Sequence, residues 1–279
     1  MRLVRSVYFA TLWRWHNESS RLSLVDSMEF AGTTVAITGA AGGIGSALVA
    51  AFAAAGAQII ACDRSFSLLD ALDVRHKVAF DLTDRAGIAA AAERIMAEAG
   101  APDCLINNAG WTRGETLDHM DDAAIARETD LNLTGVMQLT QALLPAMRRR
   151  KSGAIVFIAS ANGLAHFGNP AYAAAKAGIL AFSRAIAVEC GGDGIRSNAV
   201  CPGSVRTPAW DHRIERNPDL PRMLTRFYPL GRIVTPQEVA EAALFLASPR
   251  ASGITGAALA VDAGLTAGNL PFVRDIIAG

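Results

Sequence analysis

The chain has 279 residues and a mass of 29.3 kDa, room for one large α/β domain or two small ones. Half of it is hydrophobic (51%), and 26 basic residues balance 26 acidic ones, which excludes the electrostatic footprint of a nucleic-acid or anionic-membrane binder. Cys62, Cys104, Cys190 and Cys201 form no CxxC or CxH pair, which speaks against a metal site and for buried thiols in a reducing, cytoplasmic compartment, and no apolar run reaches transmembrane length.

Residues 1–29 differ in character from the rest of the chain. Arg2, Arg5, Arg14 and Arg21 alternate with Tyr8, Phe9, Trp13 and Trp15, and a second methionine, Met28, precedes the first clear strand. We read this segment as a disordered or dispensable extension in preference to a targeting peptide or interfacial helix. Residues 30–279 then read as one domain. Continuous apolar runs at 33–39, 58–63, 76–82, 103–110, 153–160, 195–203 and 258–264 have the pattern of strands covered on both faces. Ala-rich segments of helical length, such as 84–99 and 236–248, lie between them. Such alternation predicts an α/β fold: a Rossmann-type, doubly wound parallel sheet of about seven strands with helices on both faces. Residues 208–230, with four prolines and scattered aromatics, read as an irregular insertion or substrate lid.

The first run ends in Thr38-Gly39-Ala40-Ala41-Gly42-Gly43-Ile44-Gly45 and opens an Ala-rich helix. Glycines permit a sharp turn and bring N–H groups near a pyrophosphate, and the helix N-terminus adds positive charge. Asp63 ends the second run, where a carboxylate can bond a ribose 2′-OH and repel a 2′-phosphate, so NAD is expected over NADP. Arg64 beside it is the opposing signal, since arginine can accept that phosphate. Asp81 and Leu82 close the third run and can flank the adenine. Asn108, Ala109 and Gly110 end the fourth, again at the strand end where ligands bind.

Tyr172 and Lys176 stand at i and i+4, so a helix puts phenol and ammonium on one face. The ammonium is expected to lower the phenol pKa from its ordinary value near 10. Ser160 ends the fifth run and can bond a substrate oxygen, and Asn132 lies in LNLTG on the preceding helix. TGAAGGIG, Asp63, Asp81, NNAG, Asn132, Ser160, YAAAK and CPGSVRT together resemble the short-chain dehydrogenase/reductase family over nearly all of 33–264.

The resemblance implies that Tyr172 is the general acid/base, that Lys176 lowers its pKa and bonds the nicotinamide ribose, that Ser160 polarises the carbonyl, and that Asn132 holds a proton-relay water. It implies a grip on the nicotinamide carboxamide by the Pro202-Gly203-Ser204-Val205-Arg206-Thr207 turn, through Val205 and Thr207. It also implies a homotetramer (or homodimer) assembled through the helices that carry Asn132 and Tyr172. The last strand departs from the pattern, ending Asp262-Ala263-Gly264 where the family commonly has two glycines. The expected activity is hydride transfer between NAD and a small alcohol or ketone, such as a polyol, sugar or cyclic alcohol. Asn162, His166 and Trp210 are the substrate-contact candidates, with Trp111, Phe167, His212 and Tyr228 as further pocket aromatics and polar groups. The alternatives are an NADPH-dependent 3-oxoacyl-carrier-protein-type reductase, against which Asp63 counts, and a non-catalytic NAD-binding protein, against which the unbroken set Asn132, Ser160, Tyr172 and Lys176 counts.

Overall fold

The computed structural model describes residues 29–207, 210 and 214–278. Nearly all of the 1–29 extension, and His212 with it, therefore lie outside the described residues.

Seven parallel strands form one sheet in the order β3-β2-β1-β4-β5-β6-β7. They are β1 (Thr34–Thr38), β2 (Gln58–Asp63), β3 (His76–Ala79), β4 (Cys104–Asn107), β5 (Gly153–Ile158), β6 (Ile195–Pro202) and β7 (Ala258–Val261). The chain crosses over through α1 (Gly43–Ala54), α2 (Arg85–Ala99), α3 (Asp122–Thr129), α4 (Gly135–Arg150), α5 (Pro170–Cys190), α6 (Leu220–Thr225) and α7 (Pro236–Ala247). Strand order reverses between β1 and β4, the switch point outside which open α/β sheets bind their ligands.

Period-two alternation within each strand builds two cores. Val35, Ile37, Ala61, Ile106, Val156 and Val200 point to one side, where they meet Leu48 and Phe52 of α1 and Val239, Ala243 and Leu246 of α7. Ala36, Ile60, Leu105, Ile155 and Phe157 point to the other, against Ile88 and Ile95 of α2, Leu139, Leu143 and Met147 of α4, and Ile179 and Ile186 of α5. Each of these large side chains contributes about 1.5–3 kcal/mol on burial. Helix starts are set locally. Asp84 and Asp121 accept the Ala86 and Ala124 amides, and Thr235 with Glu238 forms a capping box ahead of Pro236.

Three expectations need correction. β7 is not covered on both faces: it is the sheet edge, and Ala258, Leu259 and Ala260 are exposed. Residues 208–230 are not wholly irregular, since Leu220–Thr225 is helical. Finally, Pro170–Asp193 is apolar and long enough to cross a membrane by length and composition, although no such run was expected. In the fold this helix lies along β6 and α3, with 39% of its most apolar window buried.

Candidate active site

The glycine turn sits at the C-terminal end of β1. Gly39 has φ +62°, a conformation side chains rarely adopt, and a Cβ there would stand 2.9 Å from Ala109 Cα. A Cβ on Gly45 would lie 1.9 Å from the Gly39 carbonyl oxygen, so α1 reaches the turn only with glycine at 45. Gly42 caps α1 without any side-chain bond, leaving the first-turn N–H groups to an incoming anion. This cradle fits a dinucleotide pyrophosphate.

The turn is pinned from β4. Thr38 Oγ1 accepts the Asn108 and Ala109 amides, both at 3.0 Å, while Asn108 Nδ2 donates to the carbonyls of Thr38 (2.9 Å) and Gly39 (3.0 Å). The amide group of Asn108 thus holds the turn, which is how it serves the site. At the end of β2, Asp63 Oδ2 accepts the Ala41 amide at 2.9 Å and Oδ1 the Arg64 amide at 2.7 Å. The carboxylate therefore stands beside the glycine turn, whereas the Arg64 side chain is exposed. Asp81 accepts the Thr83 amide and hydroxyl. Leu82, expected at the adenine edge, is instead a core residue whose carbonyl abuts the start of α4 at Gly135.

Ile44, Asn108, Gly110, Ser160, Tyr172 and Lys176 line one cleft of about 240 Å³, together with Pro202, Gly203, Val205 and Thr207. Sequence positions more than 160 apart thus converge because β1, β4, β5 and β6 all end at this rim. The turn after β6 is braced from below. Val205 bridges Val234, and the buried Tyr228 hydroxyl accepts the Ser204 amide (3.0 Å) and donates to Ser204 Oγ (2.9 Å). Tyr228 is 2% exposed, so it supports this turn and does not face substrate as expected.

The N-terminus of α5 is set by Asn169, which exchanges bonds with Glu115: its amide donates to the Glu115 carbonyl, and its Oδ1 accepts the Glu115 amide. One helical turn later Tyr172 lines the same cleft as Ser160, whose side chain acts to lower the phenol pKa. Lys176 is 4% exposed, donates to the Ile158 carbonyl at 3.0 Å, and has its Nζ 5.6 Å from the Tyr172 ring centre. Burial dominates both groups. It pushes the phenol up to about 12, and it pulls the ammonium down to about 8. Desolvation thus decides the phenol, and the expected lowering by Lys176 is not among the influences on it.

Asn132 lies in a π turn, Asp130–Thr134, between α3 and α4, a local widening that changes carbonyl pairing and recurs at functional sites. Its side chain is fully engaged. Oδ1 accepts the Trp111 amide (3.2 Å), and Nδ2 donates to the carbonyls of Trp111 (2.9 Å) and Glu128 (3.1 Å) and to Glu128 Oε2 (2.9 Å). Glu128, 2% exposed, was missed, although an acid four residues before Asn132 on a helix was a readable signal.

The substrate candidates do not join the cleft lining. Asn162 Nδ2 donates to the Gly168 carbonyl of its own loop, His166 and Phe167 are exposed, and Trp111 is 51% exposed. Trp210 is half-buried and is tied through its amide to the Thr207 carbonyl.

Residues 39–266 match the family model described as Enoyl-(Acyl carrier protein) reductase. Oxidoreductase UcpA of Escherichia coli K12 is 41% identical over 250 residues, covering 84% of this chain and 95% of that protein. The 3-oxoacyl-[acyl-carrier-protein] reductase FabG of Thermotoga maritima is 39% identical over 249 residues, covering 85% and 99%. A crystal structure of an oxidoreductase of the short-chain dehydrogenase/reductase family from Burkholderia thailandensis superposes with a TM-score of 0.82 at 44% identity, covering 88% of this chain and 98% of that one. Sheet order, glycine cradle and overall likeness agree, and the chain belongs to the short-chain dehydrogenase/reductase family of NAD(P)-dependent oxidoreductases.

Proposed function

We propose that the chain moves a hydride between NAD and a secondary alcohol or ketone, in the range of small polyols, sugars and cyclic alcohols. The observation that carries this reading is that Ser160, Tyr172 and Lys176 line one 240 Å³ cleft, with Lys176 Nζ 5.6 Å from the Tyr172 ring centre. In oxidation Tyr172 takes the hydroxyl proton; in reduction it returns that proton to the developing alkoxide. Ser160 donates to the substrate oxygen, Lys176 favours the phenolate, and Asn132, its side chain already bonded to Trp111 and Glu128, serves the relay water through its main chain. NAD, when bound, supplies the hydride acceptor and a positive ring charge that also favours the phenolate. Tyr172→Phe should abolish turnover across a panel of alcohols while NADH binding, read by fluorescence, stays within about threefold; activity near wild type would overturn the assignment.

Preference for NAD is supported by the Asp63 carboxylate beside the glycine turn. The second reading, an NADPH-dependent acyl-carrier-protein reductase, is favoured by the names of the FabG relatives and by Arg64, and opposed by Asp63. Parallel assays with both cofactors and both substrate classes separate the two. We also propose a homotetramer and a cytoplasmic setting. The tetramer is supported by the largely uncovered face of α5 and by an apolar groove of about 440 Å³ where Ile88 of α2, Met137 of α4 and Phe182 of α5 meet. The four buried free thiols support the compartment.

A further inference from the structure

Buried carboxylates are rare unless they are paired or bonded, and Glu128 lies beneath the candidate site with no place in the proposed hydride transfer. Its side chain collects donors. Oε2 accepts Asn132 Nδ2 at 2.9 Å and Oε1 accepts the Arg113 amide at 3.3 Å, while the Thr112 hydroxyl donates to the Arg113 carbonyl at 3.3 Å. Burial pushes the Glu128 pKa up, and a donor on each oxygen works against that by favouring the carboxylate, which has acceptors only.

The bonded groups belong to two segments that must keep their relative position. Trp111 to Arg113 follow Gly110 out of β4, and Asn132 sits in the π turn. Gly110 itself separates Asn132 from Lys176: a Cβ there would stand 2.8 Å from Asn132 Oδ1 and 3.2 Å from Lys176 Nζ. Glu128, Asn132 and Lys176 therefore follow one another towards the cleft that Lys176 lines. We propose that Glu128 is a positioning residue of this site, holding Asn132 and the 111–113 segment together and serving as the buried counter-charge of Lys176.

The charged and titratable groups around Glu128 are few. Arg127 of its own helix and Glu115 of the adjoining loop act in opposite senses. Tyr172 and Lys176 face it from α5, and Cys201 of β6 acts on the same pair. Glu128 holds the Lys176 proton more firmly, against a burial that drives it off.

The function assigned to this series rests on the oxidoreductase reading, but its test needs no substrate. The chain has only three lysines, Lys77, Lys151 and Lys176, so ε-carbon-labelled lysine gives three signals to follow against pH. The Lys176 midpoint, about 8 in the wild type, should fall by about one unit in Glu128→Gln. Glu128→Asp keeps the charge but shortens the reach. It should leave the midpoint near wild type while lowering kcat about ten- to a hundredfold with KM for NAD unchanged. Should Gln not fold, Glu128→Met removes charge and acceptors at similar volume and is expected to show the same midpoint shift. A folded Gln or Met variant, checked by melting and NADH fluorescence, with an unmoved Lys176 midpoint overturns the proposal. An enzyme that turns over no alcohol would instead count against the hydride-transfer reading and leave the lysine titration to decide the role of Glu128.

Discussion

Lys176 and Asp63 show how single side chains are set by what surrounds them. Lys176 is charged and buried, and its folded-state pKa is depressed from 10.5 to about 8. In that window the unfolded chain binds more protons than the folded one, so the Lys176 contribution to stability rises with pH from about 8 to 10.5 and is at its least favourable below 8. Lys176→Met should therefore stabilise the fold more, relative to wild type, below about pH 8 than near pH 10.5; denaturant midpoints at the two pH values check the sign. Asp63 contributes by charge and place. Asp63→Asn keeps an acceptor for the Ala41 amide but removes the repulsion of a 2′-phosphate. It should lower the NAD-to-NADP ratio of kcat/KM by about tenfold or more, a loss in keeping with one charged hydrogen bond. An unchanged ratio would place cofactor choice elsewhere. Tyr172, Ser160, Lys176 and Asp63 were legible as residues because their spacing and strand-end positions carry chemistry. Burial as the dominant influence on Tyr172 and Lys176 was not legible, since it depends on what the rest of the chain packs over them.

Elements place these residues, and their ends matter more than their middles. Asn108 to Gly110 were expected inside the fourth strand, but β4 stops at Asn107. The released residues turn back to bond Thr38 and Gly39, which is what shapes the cradle. After β7 the chain turns through Ala263 at φ +52° and Gly264 at φ +89°. Asp262 steadies this corner by accepting the Gly264 and Thr266 amides and the Thr266 hydroxyl. The departure from two glycines thus falls on a left-handed residue. Such a conformation costs a side chain roughly 1–2 kcal/mol, whereas a glycine's extra freedom when unfolded costs about 0.4–1 kcal/mol. Ala263→Gly should therefore stabilise by about 0.5–1 kcal/mol, read as a raised denaturant midpoint; a lowered midpoint would mean the corner is unstrained.

At the scale of the whole molecule, the apolar surface left by one chain needs a destination. Val188 of α5 is 83% exposed, and Met137 of α4, which lines the 440 Å³ groove with Phe182 of α5, is 37% exposed. A second copy over α4 and α5 would cover this surface and lie directly behind the helices that carry Tyr172 and Asn132, linking assembly to the rigidity of the site. Val188→Glu should shift the mass measured by light scattering from tetramer towards smaller species and lower activity with it. A wild-type chain that is monomeric at micromolar concentration would sink the tetramer proposal.

The sequence alone determined the parallel α/β architecture, the position of all seven strands, the glycine turn and the Tyr172–Lys176 spacing, because each is encoded locally in apolar period, glycine placement or helical repeat. Only the tertiary structure decided that Tyr228 braces the turn after β6, that Leu82 belongs to the core, that β7 is an exposed edge, and that Glu128 is buried under Asn132. Each of these depends on which distant segment arrives alongside. No periodicity within a segment specifies its neighbour across the sheet, because that choice is made by the packing of the whole chain.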